Sequence, residues 1–309
     1  MFPFSLTQML ESKTCLILGA GASADFSMPL WSQLKSLLVN QMELNYSSSV
    51  ERTHWLNVLL DSPDAATATV DELAMEANNE QEFNFFQRCL GEILLERERK
   101  VHNENNWVSV FSSAVGSRLL ENPDKSLQYL SNLTVISLNY DRCFNHYFAE
   151  GIKNILREKY NRPRITNAHY DEIAEQIENV LHPHGCIGQL NSKKYIRNRL
   201  EITDPGNDFY DEVVEFGGRI KGNNTPPIFP VDDMNTPRFS SNKIYLESNI
   251  AIRNAKYCIC IGLSPLGLEH SLLKFEKNKN VYYSGSEKVL PGFIPLEARA
   301  KELISELLS

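Results

Sequence analysis

The sequence lacks paired cysteines and long apolar runs. Its six cysteines are never spaced as Cys-x-x-Cys, so we expect neither a zinc ribbon nor a thioredoxin-like motif. No apolar run is long enough to cross a bilayer, and no charged start followed by an apolar stretch opens the sequence. These absences predict a cytoplasmic protein with reduced thiols, no bound zinc or other metal, and no membrane contact.

An excess of basic residues is also missing. The formal net charge is −8 over 309 residues, which argues against direct nucleic-acid binding through bulk charge. A local basic stretch within residues 153–164 is the exception, and we interpret it as a solvated helix end. Apolar residues make up 42% of the chain, which suffices for a sizeable core.

Short apolar segments alternate with helical patterns along the chain. Segments without polar alternation are typical of strands buried on both faces of a parallel sheet, and they occur at Thr14–Leu18, 133–138, 257–263 and, more weakly, 281–283. Helical spacing follows at 31–40, 142–157 and 268–277. This order predicts one α/β domain over residues 1–309, with a Rossmann-like, doubly wound, mostly parallel sheet.

Three further segments complete the predicted architecture. Residues 42–128 separate the first two strands, are too many for a simple crossover, and predict a large helical insertion over the sheet. Residues 217–242 are rich in Gly, Asn and Pro and predict a loop. Residues 296–307 predict an amphipathic helix that needs a partner surface in this chain or in a neighbouring copy. Its apolar stripe consists of Leu296, Leu303, Ile304 and Leu307.

The first strand runs directly into a glycine-rich loop. Alternating glycines let the backbone turn sharply and approach a ligand, and N–H groups at the start of a helix suit a pyrophosphate. Gly-x-Gly turns also occur as plain strand-to-helix connections, so the loop alone leaves both interpretations open. The loop consists of Gly19, Ala20, Gly21, Ala22 and Ser23.

A second loop of similar composition ends the strand at 257–263. Gly262 and Ser264 lie in it, and they could hold the second half of a dinucleotide. The alternative is a simple tight turn, which Pro265 and Gly267 would favour.

Polar residues follow the strand at 133–138. Asn139 and Asp141 are two apart, so in extended backbone their side chains point the same way, into the crevice that the glycine loop also faces. Asp141 also suits the N-cap of the helix predicted from Arg142, and capping is compatible with ligand contact. An amide that ends a buried strand needs hydrogen-bond partners, which favours a ligand role for Asn139.

His184, followed by Gly185, suits a general base at a cleft. A lone histidine is more often a hydrogen-bonded packing residue, and we interpret its neighbour His182 as structural. Two histidines that flank a proline also suggest a metal site. No further His, Cys or carboxylate falls at ligand spacing, so we expect none.

In this order, the segments resemble the sirtuin-like family of NAD-consuming enzymes. That family has a strand ending in Gly-Ala-Gly-x-Ser, an Asn-x-Asp motif after the next strand, a His-Gly pair, and a later Gly-x-Ser. Here these motifs occupy residues 19–23, 139–141, 184–185 and 262–264. The stretches 28–31 and 226–230 are similar to the bacterial branch that acts in anti-phage defence. The resemblance covers about a third of the chain and leaves residues 42–128 unmatched.

Two departures from the family pattern bear on the activity. Protein-deacylating sirtuins carry a module of paired cysteines after the histidine, which this chain lacks, and Tyr140 replaces the isoleucine that is usual in their Asn-x-Asp motif. The resemblance therefore implies an NAD+ hydrolase that releases nicotinamide and ADP-ribose. Asn139, Asp141 and His184 would be catalytic. The residues that would bind NAD+ are Gly19, Ala20, Gly21, Ala22, Ser23, Gly262 and Ser264.

The same resemblance implies regulation by assembly. An NAD+ hydrolase needs restraint inside its own cell, so we expect a homo-oligomer or a partner such as a HerA-type ATPase or an Argonaute-like sensor to activate it. Two other function classes stay open. One is a protein deacylase or ADP-ribosyltransferase, which the missing cysteine pairs disfavour. The other is a non-catalytic nucleotide-sensing module, which Asn139 and His184 disfavour.

Overall fold

A computed structural model describes most of the chain. The described residues are 4–46, 49–61, 70–101, 106–158, 172–173, 176–177, 180–187, 243–263, 273–275, 280–284, 293–296 and 300–308. The predicted loop at 217–242, the stretch 226–230 and the candidate ligand residue Ser264 lie outside them.

Six strands within the described residues form one sheet in which every pairing is parallel. The strand order is β3-β2-β1-β4-β5-β6, which is compatible with a Rossmann-like fold. This confirms the α/β prediction. The strands are β1 (Thr14–Leu18), β2 (Leu133–Ser137), β3 (Val180–Leu181), β4 (Tyr257–Ile261), β5 (Asn280–Ser284) and β6 (Ile294–Leu296).

The central strands are buried on both faces, as their unbroken apolar runs predict. All five residues of β1 are buried, and they alternate between two apolar clusters on opposite sides of the sheet. Leu16 and Leu18 belong to one cluster, whereas Cys15 and Ile17 belong to the other. β4 ends two residues before the predicted limit because Gly262 adopts a φ of 66°, which leaves the extended conformation.

Helices occupy most of the remaining described residues. They are α1 (Leu6–Glu11), α2 (Trp31–Asn45), α3 (Val50–Asp61), α4 (Val70–Ala74), α5 (Glu80–Lys100), α6 (Trp107–Glu121), α7 (Ser126–Asn132), α8 (Cys143–Glu158), α9 (Lys243–Asn254) and α10 (Ala300–Leu308). Short 3-10 helices lie at Ala20–Phe26 and Pro123–Lys125. None of the helices within the described ranges is long and apolar enough to cross a membrane.

Two helix predictions need correction. The helix predicted at 268–277 is wrong where it can be judged, because residues 273–275 are irregular. Leu273 is buried against the sheet, and the Lys274 N–H donates to Asn249 Oδ1 rather than to a helical carbonyl. The predicted C-terminal helix begins late, because Leu296 ends β6 and α10 starts at Ala300.

The apolar stripe of α10 has a partner within the chain. Ile304 and Leu307 are buried in the larger apolar cluster, and α10 packs against α6. A surface that is already covered by the chain's own helix needs no second copy to bury it.

Most of the described residues between β1 and β2 are helical, with short turns and irregular segments between the helices. Its α6 packs closely on α8, which follows β2. Phe111 and Phe148 stack there with ring centroids 5.9 Å apart. Gly151 lets the helices approach, because a Cβ at this position would lie 1.8 Å from Ser112 Oγ and 2.7 Å from Ser112 Cβ.

Gly151→Ala should therefore lower the free energy of unfolding by about 1–2 kcal/mol, because an overpacking cost of about 2–3 kcal/mol exceeds the gain in helix propensity of about 1 kcal/mol. Urea denaturation followed by circular dichroism measures the loss. Gly116→Ala is the matched control on the facing helix, since its Cβ would meet Ile155 at 3.1 Å and needs only a small adjustment. Equal stability of Gly151→Ala and wild type would contradict the close approach.

Candidate functional site

The candidate site lies where the strand order of the sheet reverses. β1 lies between β2 and β4. From β1 the chain continues to β2 and β3 on one side, whereas from β4 it continues to β5 and β6 on the other side. Open α/β sheets bind ligands in the crevice outside the carboxyl ends of the strands at this point. The glycine loop after β1 and the turn at Gly262 after β4 both lie there.

The two glycine segments are in direct contact. The Gly21 N–H donates to the Gly262 carbonyl at 2.8 Å, and a Cβ on Gly21 would lie 2.8 Å from Gly262 Cα. A Cβ on Gly262 would lie only 2.0 Å from the Ala22 nitrogen. Glycine is therefore required at Gly262 both by its positive φ and by space.

Hydrogen bonds within the protein occupy several N–H groups of the glycine loop. Besides Gly21, the Gly19 N–H donates to the Ile261 carbonyl at 3.0 Å, and the Ala22 N–H donates to the Gly19 carbonyl at 2.9 Å. The open nest that the glycine pattern predicts is thus partly closed by the chain itself. Ala20 and Gly21 are the exposed residues of this loop.

Ser23, Asn139 and Asp141 form one buried network. The Asn139 amide donates to the Gly19 carbonyl at 2.9 Å and to Ser23 Oγ at 3.0 Å. The Ser23 hydroxyl donates to Asp141 Oδ1 at 3.1 Å. The polar side chains are 5–9% exposed. Asn139 and Asp141 thus meet at the same Ser23 hydroxyl, and the amide of Asn139 has its hydrogen-bond partners within the protein.

Asp141 also serves the start of α8. Its Oδ1 accepts from the Cys143 N–H at 3.0 Å, and the helix begins at Cys143, one residue later than predicted. Burial raises the pKa of Asp141, against the opposing effect of the hydrogen bonds from Cys143 and Ser23. Arg142 rather than Asp141 occupies the N-cap, because its carbonyl accepts the first helical hydrogen bond, from the His146 N–H. The Asp141 carboxylate still accepts from the first N–H of the helix while it belongs to the polar network.

The two histidines differ in their surroundings. His182 lies between two polar groups, with Nδ1 3.2 Å from the Asn139 carbonyl oxygen and Nε2 3.2 Å from Asn145 Oδ1. Burial lowers the pKa of His182 to about 4, so the ring is neutral at physiological pH. This fits the structural role predicted for it.

His184 lies on the turn that follows β3, next to the Asn139–Asp141 loop. Its ring centroid is 6.4 Å from that of Tyr140, and the Ile187 N–H donates to the Tyr140 carbonyl at 3.1 Å. Gly185 has a φ of 75°, which turns the backbone after the histidine. His184 is thus near the network through Tyr140 and is 7% exposed.

Two contacts at the site were not predicted from the sequence. Arg142 and Glu98 form a fully buried ion pair, with Nη2 and Oε2 2.7 Å apart. The Trp107 indole N–H donates to the Ala22 carbonyl at 2.8 Å. The run of polar residues from Asn139 to Arg142 after an apolar strand signals that Arg142 needs a partner, but nothing local identifies Glu98.

Metal ligation finds no support in the described ranges, where no three His, Cys, Asp or Glu residues are grouped closely enough to hold an ion. All six cysteines are free and buried. Neither a scan against models of protein families nor a search of curated proteins finds a match for this chain. The geometry of the residues therefore carries the functional argument.

Gly262→Ala should lower the free energy of unfolding by about 3 kcal/mol or more, because a left-handed conformation and a backbone clash add together. Gly21→Ala should cost less, since its Cβ would meet Gly262 Cα at 2.8 Å but the backbone at Gly21 does not have a positive φ. Chemical denaturation of both variants gives the ranking. A Gly262→Ala protein as stable as Gly21→Ala would refute the proposed packing of the two loops.

The pKa of His182 predicts a loss of stability in mild acid. Because its folded pKa of about 4 lies below the ordinary 6.5, the unfolded chain binds the proton first as the pH falls. The contribution of His182 to the free energy of unfolding is fully present above about pH 6.5. It declines toward pH 4 by up to about 3 kcal/mol.

Unfolding free energies of wild type and His182→Gln, measured between pH 7.5 and about 4, test this. The difference between the two profiles removes the contribution of Asp141, which both proteins keep. His54→Gln is the control, because His54 is a partly exposed histidine on α3. Parallel profiles for wild type and His182→Gln would rule out a neutral buried ring.

Proposed function

We propose that this chain is an NAD+ hydrolase that splits the bond between nicotinamide and ribose. One observation carries the proposal: the network of Ser23, Asn139 and Asp141 lies at the carboxyl ends of β1 and β2, beside the contact between Gly21 and Gly262. This edge of such a sheet is where dinucleotides bind. The resemblance of the motifs to sirtuin-like NAD-consuming enzymes supplies the reaction.

The reaction adds water to the ribose C1′ as the bond to nicotinamide breaks, which yields nicotinamide, ADP-ribose and a proton. Positive charge develops on the ribose in the transition state, so the site must orient the sugar, offset the charge and deliver water. Asp141 would offset the charge, and His184 would accept the proton from water or a ribose hydroxyl.

Asn139 would orient the ribose and the attacking water through its amide oxygen. Both of its amide hydrogens already have acceptors, namely the Gly19 carbonyl and Ser23 Oγ. Among the hydrogen bonds between described residues none uses its Oδ1, so this oxygen is the atom that would accept a hydrogen bond from a hydroxyl group or water. A donor pair committed to the protein fixes the direction of that oxygen before a ligand arrives.

The dinucleotide itself would lie along the two loops. Gly19, Ala20, Gly21, Ala22 and Ser23 would contact the pyrophosphate, with exposed Ala20 and Gly21 nearest to solvent. Gly262 and Ser264 would steady the adenosine half. No zinc takes part in this scheme.

We further propose that residues 42–128 form a helical insertion on a doubly wound sheet, and that the enzyme is a cytoplasmic effector of a bacterial anti-phage defence system. By the resemblance, activation would come from homo-oligomerisation or from a partner such as a HerA-type ATPase or an Argonaute-like sensor. Burial of Ile304 and Leu307 within the chain disfavours the C-terminal stripe as the oligomer interface.

A nucleotide-sensing module without catalysis is the second candidate. Two observations favour it: the polar groups of the network donate hydrogen bonds to other groups of the protein, and its side chains have low exposure. Binding of NAD+ without release of nicotinamide, in every assembly state of the protein, would select this alternative. Deacylation of an acetyl-lysine peptide would instead select a sirtuin-type deacylase.

Asn139→Ala and His184→Ala should each lower nicotinamide release from NAD+ by about 100-fold or more, in line with typical effects of positioned acid–base groups. The assay follows nicotinamide chromatographically, and denaturation curves check the fold. Asn249→Ala and His54→Ala are matched controls, because they remove the same side chains from α9 and α3. If both site variants release nicotinamide at the wild-type rate, the proposed mechanism is wrong.

A further inference from the structure

Two side chains of the connection from β1 to β2 reach the candidate site from consecutive helices. Glu98 lies in the last turn of α5, and Trp107 is the first residue of α6. Glu98 contacts the loop that carries Asn139 and Asp141, whereas Trp107 contacts the glycine loop. The two loops of the site are thus each tied to this helical connection.

Glu98 holds both the backbone and the side chain of Arg142. Its Oε1 accepts from the Arg142 backbone N–H at 3.1 Å and from Nε at 3.2 Å, and its Oε2 accepts from Nη2 at 2.7 Å. Both residues are 1% exposed. Three hydrogen bonds from one residue to one carboxylate fix the chain directly after Asp141.

The ion pair has little justification as a source of stability. An acidic side chain in the last turn of a helix is opposed by the helix dipole. A buried ion pair is also often no better for stability than apolar residues of the same volume, because both charges lose their hydration. What the pair does provide is a defined position for Arg142, and through it for the adjoining Asp141.

Trp107 does the same for the glycine loop. Its indole N–H donates to the Ala22 carbonyl at 2.8 Å, and its ring packs near Phe144 of α8 with centroids 5.9 Å apart. Ala22 stands between Gly21, which contacts Gly262, and Ser23, which accepts from Asn139. Holding this carbonyl therefore holds the centre of the loop.

We infer that Glu98 and Trp107 are positioning residues for the candidate site, with Glu98 setting the Asn139–Asp141 loop and Trp107 setting the glycine loop. Their effect on catalysis rests on the proposed function, whereas their effect on the loops does not. A shift of α5 or α6 would move one loop against the other, which gives the helical connection control over the site.

The test uses two conservative variants and two matched controls in the full-length protein. Glu98→Gln removes the charge and keeps the shape, and Trp107→Phe removes the N–H and keeps an aromatic ring. Glu92→Gln is the control on the same helix, where the carboxylate accepts from Tyr46 and Gln41. Trp55→Phe is the control for the indole, since buried Trp55 donates to the Glu82 carbonyl at 2.9 Å.

Hydrogen exchange followed by mass spectrometry provides the readout that does not depend on activity. Glu98→Gln should speed amide exchange in peptides covering residues 138–145, and Trp107→Phe should speed it in peptides covering 19–28. The two control variants should leave exchange in both regions unchanged, even if they lower the free energy of unfolding as much as the test variants do or more. If, in all four variants, the exchange rates in these two regions instead change only in proportion to the loss of unfolding free energy, the inference is overturned.

Turnover of NAD+ adds a readout that separates the two roles. Trp107→Phe should raise KM by about 5- to 10-fold with kcat retained, because one hydrogen bond that shapes the binding loop is lost. Glu98→Gln should lower kcat by about 10- to 100-fold with KM retained, because small misplacements of reacting groups are costly.

The two readouts keep the failures apart. Kinetic effects that are equal in site variants and controls would overturn the positioning roles even if NAD+ is cleaved. A wild-type protein that releases no nicotinamide in any assembly state would refute the proposed function, and hydrogen exchange would then decide the inference alone.

Discussion

The contact between the glycine loop and Gly262 is the constraint on which the rest of the site depends. Gly21 and Gly262 touch backbone to backbone, joined by a hydrogen bond of 2.8 Å. β1 and β4 pair along their whole length, and this approach joins the loops that follow them, including the 3-10 helix at Ala20–Phe26. Ser23 lies two residues after Gly21 and contacts Asn139, so a side chain at either glycine would displace the loop that carries part of the polar network.

Burial of that network sets its electrostatics. Because water is excluded, Asp141 loses hydration, and its pKa is raised although Ser23 and Cys143 donate to it. In such surroundings a fixed dipole acts more strongly on a nearby charge than it would in water. Burial makes the ionised form of Asp141 unfavourable. A positive charge that develops on a ligand beside it would stabilise that ionised form.

Local features of the site could be predicted from the sequence, but its long-range pairs could not. Consecutive apolar residues set the bounds of β1, and a polar amide after a buried strand required partners for Asn139. Glu98 and Arg142 are 44 positions apart, and Trp107 and Ala22 are 85 apart. Their meeting depends on how α5 and α6 pack, which no local pattern records. Leu296 is predicted at the start of a helix but ends β6. A short apolar run fits the end of a strand as well as a helix, so the local pattern could not decide between them.

The order of the strands places Asp141 beside β1 although the two are far apart along the chain. In dinucleotide-binding folds an acidic residue ends the strand beside β1, usually about 20 residues after the glycine loop. No acidic residue ends a strand at that distance here, yet β2 pairs with β1, so Asp141 lies after the neighbouring strand although it is 118 positions from Ser23. The position of Asp141 therefore does not by itself distinguish one ligand chemistry from another. What the structure adds is the arrangement of Asn139, whose amide hydrogens donate to the Gly19 carbonyl and to the Ser23 hydroxyl that also contacts Asp141.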